Sequence, residues 1–391
     1  MNHQLKWLLL NSRIYKRTRG LLLKLKGNSQ LVCSPERLFL MQHYAGIFNR
    51  YDVVVRLMAI DELLGGRQGG SALYHKMQES RNAYLDTIGQ PIKSEDRHDH
   101  KQGTLKHLIE SFDRQGFDMN SPVEVTPELK LVDGSHRLAC ALYFRADKIS
   151  AKKMVSGPVN FGLDWFQKYF EPHEIDSITN RFKELISSVK IEQVLSEILQ
   201  QEKQVFGRGE FYQSFEPLGI AGQRPTSERY NTYQLDQHLQ PHYKVLDIGC
   251  NCGFFTLMIA GKVRSAVGVE INRTMVDIAQ VMQVYLELDN VNFMHGSFNK
   301  IKFEQQFDFI CSFAVHHWLG VDMKGYGSRL HGLLNPGGKV LLESQNIQVQ
   351  DTDWDQKLDK FMQAGFHEIV SGALKDDGII ERRFSVLQKS G

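Results

Sequence analysis

The chain has 391 residues, 42% of them hydrophobic, with 47 Lys and Arg against 45 Asp and Glu, a formal net charge of +2 and a pI near 8.2. That length suits two or three domains with real cores, and the near balance of charge excludes the strongly basic profile of a nucleic-acid binder unless a local patch supplies it. No apolar run approaches the ~20 residues of a membrane span, no signal-type apolar region opens the chain, and five scattered cysteines point to a reducing, cytoplasmic setting.

Within residues 1–27 stand seven Lys or Arg and no acid, while Trp7, Leu10, Ile14, Leu21 and Leu25 recur at helical spacing. This predicts a basic amphipathic helix, suited either to peripheral binding at an anionic membrane surface or to docking on its own protein with a solvated charged face. Residues 51–60, YDVVVRLMAI, are predicted as a strand ending in Asp61 and Glu62. After a Gly-rich turn, Leu105, Leu108, Ile109 and Phe112 share one face of a predicted helix over residues 104–116.

Two strands over residues 122–126 and 130–132 then lead into Asp133-Gly134-Ser135-His136-Arg137, a helix over 138–144 and a closing strand over 148–154. A strand running into Asp-Gly-Ser and a helix makes an anion site, because first-turn amides face the loop and His136 and Arg137 add donors and charge. The alternative is a turn in which Arg137 pairs with an acid. This motif and element order, over residues 51–154, resemble the ParB/sulfiredoxin fold. The resemblance implies nucleotide phosphates held at residues 133–137, in a superfamily that includes CTP-hydrolysing partition proteins, sulfiredoxins and small-molecule kinases; a kinase would use ATP with Mg²⁺, and Asp61 or Glu62 is then a candidate base for an acceptor hydroxyl.

Residues 161–206 carry two amphipathic helical patterns, one on Ile175, Ile178, Phe182 and Ile186 and one on Ile191, Val194, Leu195, Ile198 and Leu199, and are expected to connect two domains. The following segment, FYQSFEPLGIAGQRPTSERY over residues 211–230, is rich in aromatics, Gly and Arg, as suits a flap over a ligand. Arg224, Arg229 and Tyr230 are its candidate substrate contacts, since a guanidinium fork recognises phosphate or carboxylate; pairing with Glu228 is the alternative for an arginine.

Residues 245–248 form a short apolar run without helical period, predicted as a buried parallel strand, and residues 254–260 a helix. Between them Gly249 and Gly253 bracket Cys250-Asn251-Cys252, a loop that lets a ligand approach bare backbone, with Asn251 tolerating positive φ. A second strand over 266–269 ends in Glu270, at the spacing of a βαβ unit whose carboxylate holds ribose hydroxyls. Further strands follow over 292–294, 307–312 and 339–343, the last after LNPGG.

With Asp247 opening the loop, this half resembles the class I S-adenosylmethionine (SAM) methyltransferases; G-x-G-x-x-G, expected of an NAD-binding unit, is absent. The resemblance implies SAM contacts from Asp247, Gly249, Cys250, Asn251, Gly253, Glu270 and Ile271, from Ser297 and Phe298, and from Ser312. Ser297 stands where the family usually has an Asp that accepts from the adenine amine. His316 and His317, in SFAVHHW after the fourth strand, are the candidate general bases. The final segment is predicted as a helix over 361–366 and strands over 367–370 and 383–388. Cys250-x-Cys252 is too tight for an ordinary zinc site, and no metal site is expected there.

The expected architecture is α/β: a basic segment over 1–30, a small α+β ParB/sulfiredoxin-like domain over 31–160, a helical connector over 161–206, and a doubly wound methyltransferase sheet over 207–391. The function expected is O-methylation, with the N-terminal domain phosphorylating a glycan terminus that the methyltransferase then caps, at the inner face of a membrane. Direct methylation of a sugar or small-molecule hydroxyl beside a non-catalytic module, and a nucleic-acid-tethered methyltransferase, remain open. A phosphorylated small molecule or glycan is the expected partner and nucleic acid is disfavoured.

Overall fold

The computed structural model describes residues 30–42, 50–87, 98–154, 161–200, 210–345, 353–375 and 381–390. The basic segment over residues 1–27 lies outside them. The chain divides into two compact units, Met1–Val194 and Leu195–Gly391.

The first unit contains, in chain order, β1 (Gln30–Cys33), α1 (Pro35–Leu40), α2 (Tyr51–Leu63), α3 (Gly70–Thr87), α4 (His98–Gln115), β2 (Val123–Val125), β3 (Leu131–Asp133), α5 (Ser135–Tyr143), β4 (Ile149–Lys153), α6 (Leu163–Tyr169) and α7 (Pro172–Ser187). Its strands form one mixed sheet in the order β1-β4-β2-β3, with β2 and β4 parallel and the other pairs antiparallel. A further helix, α8 (Ile191–Gln200), spans the division. The segment over 161–206 therefore holds three helices where two were expected, with residues 201–206 outside the described set.

The predicted strand over residues 51–60 is instead most of helix α2. A short apolar run does not by itself distinguish a buried strand from a buried helix. Here the apolar residues surround the helix because α3, α5 and α7 all pack on it, and every residue from Tyr51 to Leu57 is buried. A polar pair marks the true period: Arg56 reaches back one turn to Asp52, Nη1 to Oδ2 at 3.0 Å, while Arg50 grips the same carboxylate from before the helix at 2.6 and 2.8 Å.

Asp52 is thus buried between two guanidinium groups. Burial acts to raise its carboxyl, but Arg50 and Arg56 outweigh it and hold the group near pKa 2, below the usual 3.8. Its stabilising contribution is present above pH 4 and lost as pH falls through 2. Asp52→Asn is expected to lower stability by about 3–5 kcal/mol, because two buried cations lose their counter-charge. Chemical denaturation followed by circular dichroism measures this, and an unchanged midpoint would show that the arginines do not depend on Asp52.

The second unit continues with α9 (Thr226–Thr232), α10 (Leu235–His238), β5 (Lys244–Ile248), α11 (Phe254–Ala260), β6 (Ser265–Glu270), α12 (Arg273–Tyr285), β7 (Val291–His295), β8 (Phe307–Ser312), α13 (Met323–Leu333), β9 (Leu334–Glu343), α14 (Trp354–Met362), β10 (Phe366–Leu374) and β11 (Arg382–Lys389). Its seven strands lie in the order β10-β11-β9-β8-β5-β6-β7. The pairs from β7 to β9 are parallel, and β11 is antiparallel to both its neighbours. Leu246, Ile248, Ile310, Leu342, Trp354 and Phe361 belong to the core packed on this sheet.

The last helix precedes the position expected from sequence, ending at Met362 where 361–366 was expected. Its stripe is Trp354, Leu358 and Phe361 in a charged background, so only one turn stood out as apolar. Gly365, at φ 93°, then turns the chain into β10. Strand order reverses beside β5, which has β6 on one side and β8 on the other. In an open α/β sheet such a reversal leaves a crevice at the carboxyl ends of the strands, where ligands bind.

Candidate functional site

A cavity of about 960 Å³ lies at that reversal. One wall is the loop after β5. Gly249, Asn251 and Gly253 all have φ between 53° and 72°, so the chain makes three left-handed steps within five residues. Asn251 tolerates this because its own side-chain oxygen accepts from the Cys252 amide at 2.8 Å. At Gly249 a Cβ would stand 2.6 Å from the Val315 side chain, so only glycine closes this wall.

Glu270, at the end of β6, lines the cavity with 9% of its surface exposed. Its oxygens accept from the Asn251 amide at 3.0 Å and the Asn272 amide at 2.8 Å, which fixes the carboxylate while each oxygen keeps a further lone pair for a ligand hydroxyl. Asn251, Cys252, Ile271, Ser297 and Phe298 line the same region. Phe298 is held from behind by Arg329, whose guanidinium lies 4.3 Å over the ring and donates to the Phe298 carbonyl at 2.7 Å. Gly249, Asn251, Glu270, Ile271, Ser297 and Phe298 thus line one cavity together.

Four other expected SAM contacts lie behind the wall. Asp247 is fully buried beneath the loop and accepts from the Thr256 hydroxyl at 2.6 Å. Gly253 is glycine for packing, since a Cβ there would meet the Phe293 ring at 2.5 Å. Cys250 is 1% exposed, and Ser312 is buried against the Tyr326 hydroxyl at 2.9 Å. All five cysteines are buried free thiols, and no cluster of potential metal ligands exists among the described residues.

The other end of the cavity follows β8. Ala314, at φ 51°, turns the chain into a short helical turn, His316–Trp318. His317 lines the cavity, and neither ring nitrogen has a hydrogen-bond partner among the described residues. His316 faces away toward Trp354, with ring centroids 6.4 Å apart. Burial first, then the positive charges of Lys357 and Arg382, push the His317 imidazole down to about 4. A base so weak does little to activate a hydroxyl at neutral pH. Arg382 lines this end too, together with Tyr212, Gln213 and Arg229.

The flap expected over residues 211–230 is anchored at its arginines. Arg224 Nη2 lies 2.8 Å from one oxygen of Glu343 and Arg229 Nη2 lies 3.2 Å from the other, with all three side chains at most 2% exposed. Burial acts to raise the Glu343 carboxyl, but the two guanidinium groups pull it down to about 2. Arg229 also sits among the rings of Phe255, Phe313 and Tyr233, at 4.8, 5.5 and 5.8 Å. Neither arginine offers its fork to a substrate in the manner expected, and the partner is Glu343 rather than Glu228. Tyr230 is turned aside, donating to Asp236 at 2.8 Å. Glu343, Arg382 and Tyr233 were missed by the sequence reading; the one signal was an acid ending the apolar run of β9.

In the first unit, residues 133–137 do gather at the start of α5. Gly134 has φ 98°, Ser135 accepts from Arg50 at 2.8 Å, and His136 Nε2 contacts the Tyr74 hydroxyl at 2.7 Å. Arg137 follows the structural alternative, donating to the Ser121 and Pro122 carbonyls and pairing with Asp133 at 3.2 Å. Asp61 and Glu62 are not part of this group. Asp61 accepts from Tyr143, at 3.5 Å, at the far end of α5, roughly 12 Å along the helix from Ser135. Glu62 caps the Ser71 amide at 2.8 Å. Their expected role as base at this motif is therefore corrected.

A family model described as a methyltransferase domain matches residues 245–338. The chain is 31% identical over 125 residues to the U6 snRNA methylphosphate capping enzyme Amus of Drosophila melanogaster, covering 27% of this chain and 42% of that protein. It is 32% identical over 102 residues to the uncharacterized methyltransferase YcgJ of Bacillus subtilis, covering 26% and 40%. The chain thus spans about two fifths of the length of these curated relatives. Among solved structures it is similar to the N-methyltransferase NodS of Bradyrhizobium japonicum in complex with S-adenosyl-L-homocysteine, at 15% identity and a TM-score of 0.38, over 52% of this chain and all of that one.

The C-terminal region is a class I SAM-dependent methyltransferase domain. Gly249, Asn251 and Glu270 fit the cofactor's nucleoside by a bare-backbone loop and a fixed carboxylate. Glu270→Ala is expected to weaken SAM binding by about 1–3 kcal/mol, the scale of hydrogen bonds to a charged group; calorimetry giving an unchanged affinity would remove Glu270 from the site.

Asp247 yields a pH dependence. Burial raises its carboxyl from 3.8 to about 7, against the Thr256 hydrogen bond. A folded-state pKa raised above the unfolded value gives stability that is complete below pH 4 and lost as pH rises through 7. In the ligand-free protein, Asp247→Asn is expected to flatten the fall in melting temperature between pH 4 and 7; parallel pH profiles for the two proteins would contradict this.

Proposed function

We propose that this protein is an O-methyltransferase that caps a phosphomonoester, on a glycan terminus or a phosphorylated small molecule, using SAM. The observation that carries this is the end of the cavity after β8, where Arg382 lines the wall together with a His317 imidazole that burial first, and then Lys357 and Arg382, hold well below its usual range, and that has no hydrogen-bond partner among the described residues. A hydroxyl acceptor needs a base near neutral pKa, and His317 is far from it. A phosphate oxygen is already anionic and needs orientation and charge compensation. Bound SAM supplies an electrophilic methyl group on a sulfonium. The acceptor oxygen forms the new O–CH₃ bond as the S–CH₃ bond breaks, giving a methyl phosphate ester and S-adenosylhomocysteine. The likeness to the Drosophila U6 snRNA methylphosphate capping enzyme supports the same acceptor chemistry.

For the first unit we propose binding of a nucleotide or other phosphate at the start of α5, through Ser135, His136 and the first-turn amides. Phosphorylation of the acceptor by this unit, with ATP and Mg²⁺, remains part of the proposal as a preceding step, but without Asp61 or Glu62 as its base. The basic segment over residues 1–27 is proposed to bring the chain to an anionic membrane surface.

The test is to supply ATP and methyl-labelled SAM with paired acceptors, one bearing a terminal phosphate and one a free hydroxyl, and to follow both groups. Label is expected in a methyl phosphate ester. Equal label on the free hydroxyl would overturn the phosphate reading, and full-rate methylation of the natural acceptor without any nucleotide would remove the kinase-first step.

A further inference from the structure

We propose that Trp318 is the platform for the ring that carries the acceptor phosphate, so that the acceptor is a phosphorylated saccharide whose sugar lies on the indole while its phosphate sits beside His317. This rests on the phosphomonoester reading above and adds the group attached to the phosphate.

Trp318 lines the cavity yet is 62% exposed, an unusual setting for the largest apolar side chain. It is held there by its position. Its amide donates to the Val315 carbonyl at 3.0 Å, and Asn299 donates to the Leu319 carbonyl at 2.6 Å, so both ends of the short turn are fixed. The backbone that carries the exposed indole is thus held at both ends.

The position also fits the acceptor and not the cofactor. In the sheet order β8-β5-β6, the turn with Trp318 follows β8 while Glu270 ends β6, two inter-strand steps away, or roughly 10 Å. His317 and Trp318 have ring centroids 4.6 Å apart. A phosphate beside the imidazole therefore has the first ring attached to it within reach of the indole. In a sugar phosphate that ring is the sugar. In a nucleotide the base lies beyond its ribose, past this platform.

Charge argues for a small acceptor rather than a polynucleotide. Residues 195–391 hold 19 Lys and Arg against 23 Asp and Glu, a net of −4. Binding of a polyanion is dominated by many phosphate contacts, which an acidic unit disfavours, whereas one terminal phosphate needs few of them.

The experiment compares unsubstituted protein with Trp318→Ala and Trp318→Phe, using glucose 6-phosphate, glycerol 1-phosphate and a 5′-phosphorylated oligonucleotide as methyl acceptors, with SAM affinity measured separately by calorimetry. Trp318→Ala is expected to lower the ratio of kcat/KM for glucose 6-phosphate over glycerol 1-phosphate about tenfold, the scale of one lost aromatic stacking contact. The change should sit in KM, Trp318→Phe should recover most of it, and SAM affinity should stay as it was. An unchanged ratio would overturn the platform while leaving the phosphate reading intact. Preference of the unsubstituted protein for the oligonucleotide would overturn the saccharide assignment, and methylation of none of the three phosphates would sink the phosphate reading itself.

Discussion

The methyltransferase unit depends on one buried carboxylate. Glu343 ends strand β9 with no solvent exposure and takes Arg224 on one oxygen and Arg229 on the other. Neither charge is tolerable at that depth without its partner. The triad ties the segment before the first strand of the sheet to the carboxyl end of the strand two places beyond it. Because Arg229 also lies among three aromatic rings, the same contact sets the position of Phe313 on the cavity wall. What looked in the sequence like a movable flap is a fixed wall.

The site has two chemically different halves because the topological switch places different strand ends on either side of β5. Toward β6 the contacts are backbone amides and a carboxylate, a neutral-to-negative environment suited to hydroxyl groups. Toward β8 they are the His317 imidazole and the Arg382 guanidinium. Asp247 joins the halves structurally without lining either, its carboxyl raised by burial under the loop it opens.

The first unit uses the same device in a different fold. Arg50 and Arg56 share Asp52, and Arg50 reaches on to Ser135 at the start of α5. Both units therefore set a carboxylate between two arginines next to the segment that carries their candidate ligand contacts. In each case the carboxylate is held near pKa 2 by the cations against the effect of burial.

The local features were legible in the sequence. The loop between β5 and α11, the left-handed Asn251, the carboxylate at the end of β6 and the strand of residues 307–312 follow from glycine spacing, apolar runs and the βαβ interval, each a feature of the local sequence. Residues 51–60 were misread because an apolar run buried on every side carries no period, and burial on every side is a property of the neighbours α3, α5 and α7. Arg224 and Arg229 were visible as functional types, but their partner lies 119 and 114 residues away. Local spacing determines which backbone can turn and which face is apolar. Which buried charges meet, which glycines face a ligand and which face a phenylalanine, and which of two adjacent histidines points into the cavity were decided only when strands distant in sequence became neighbours in the sheet.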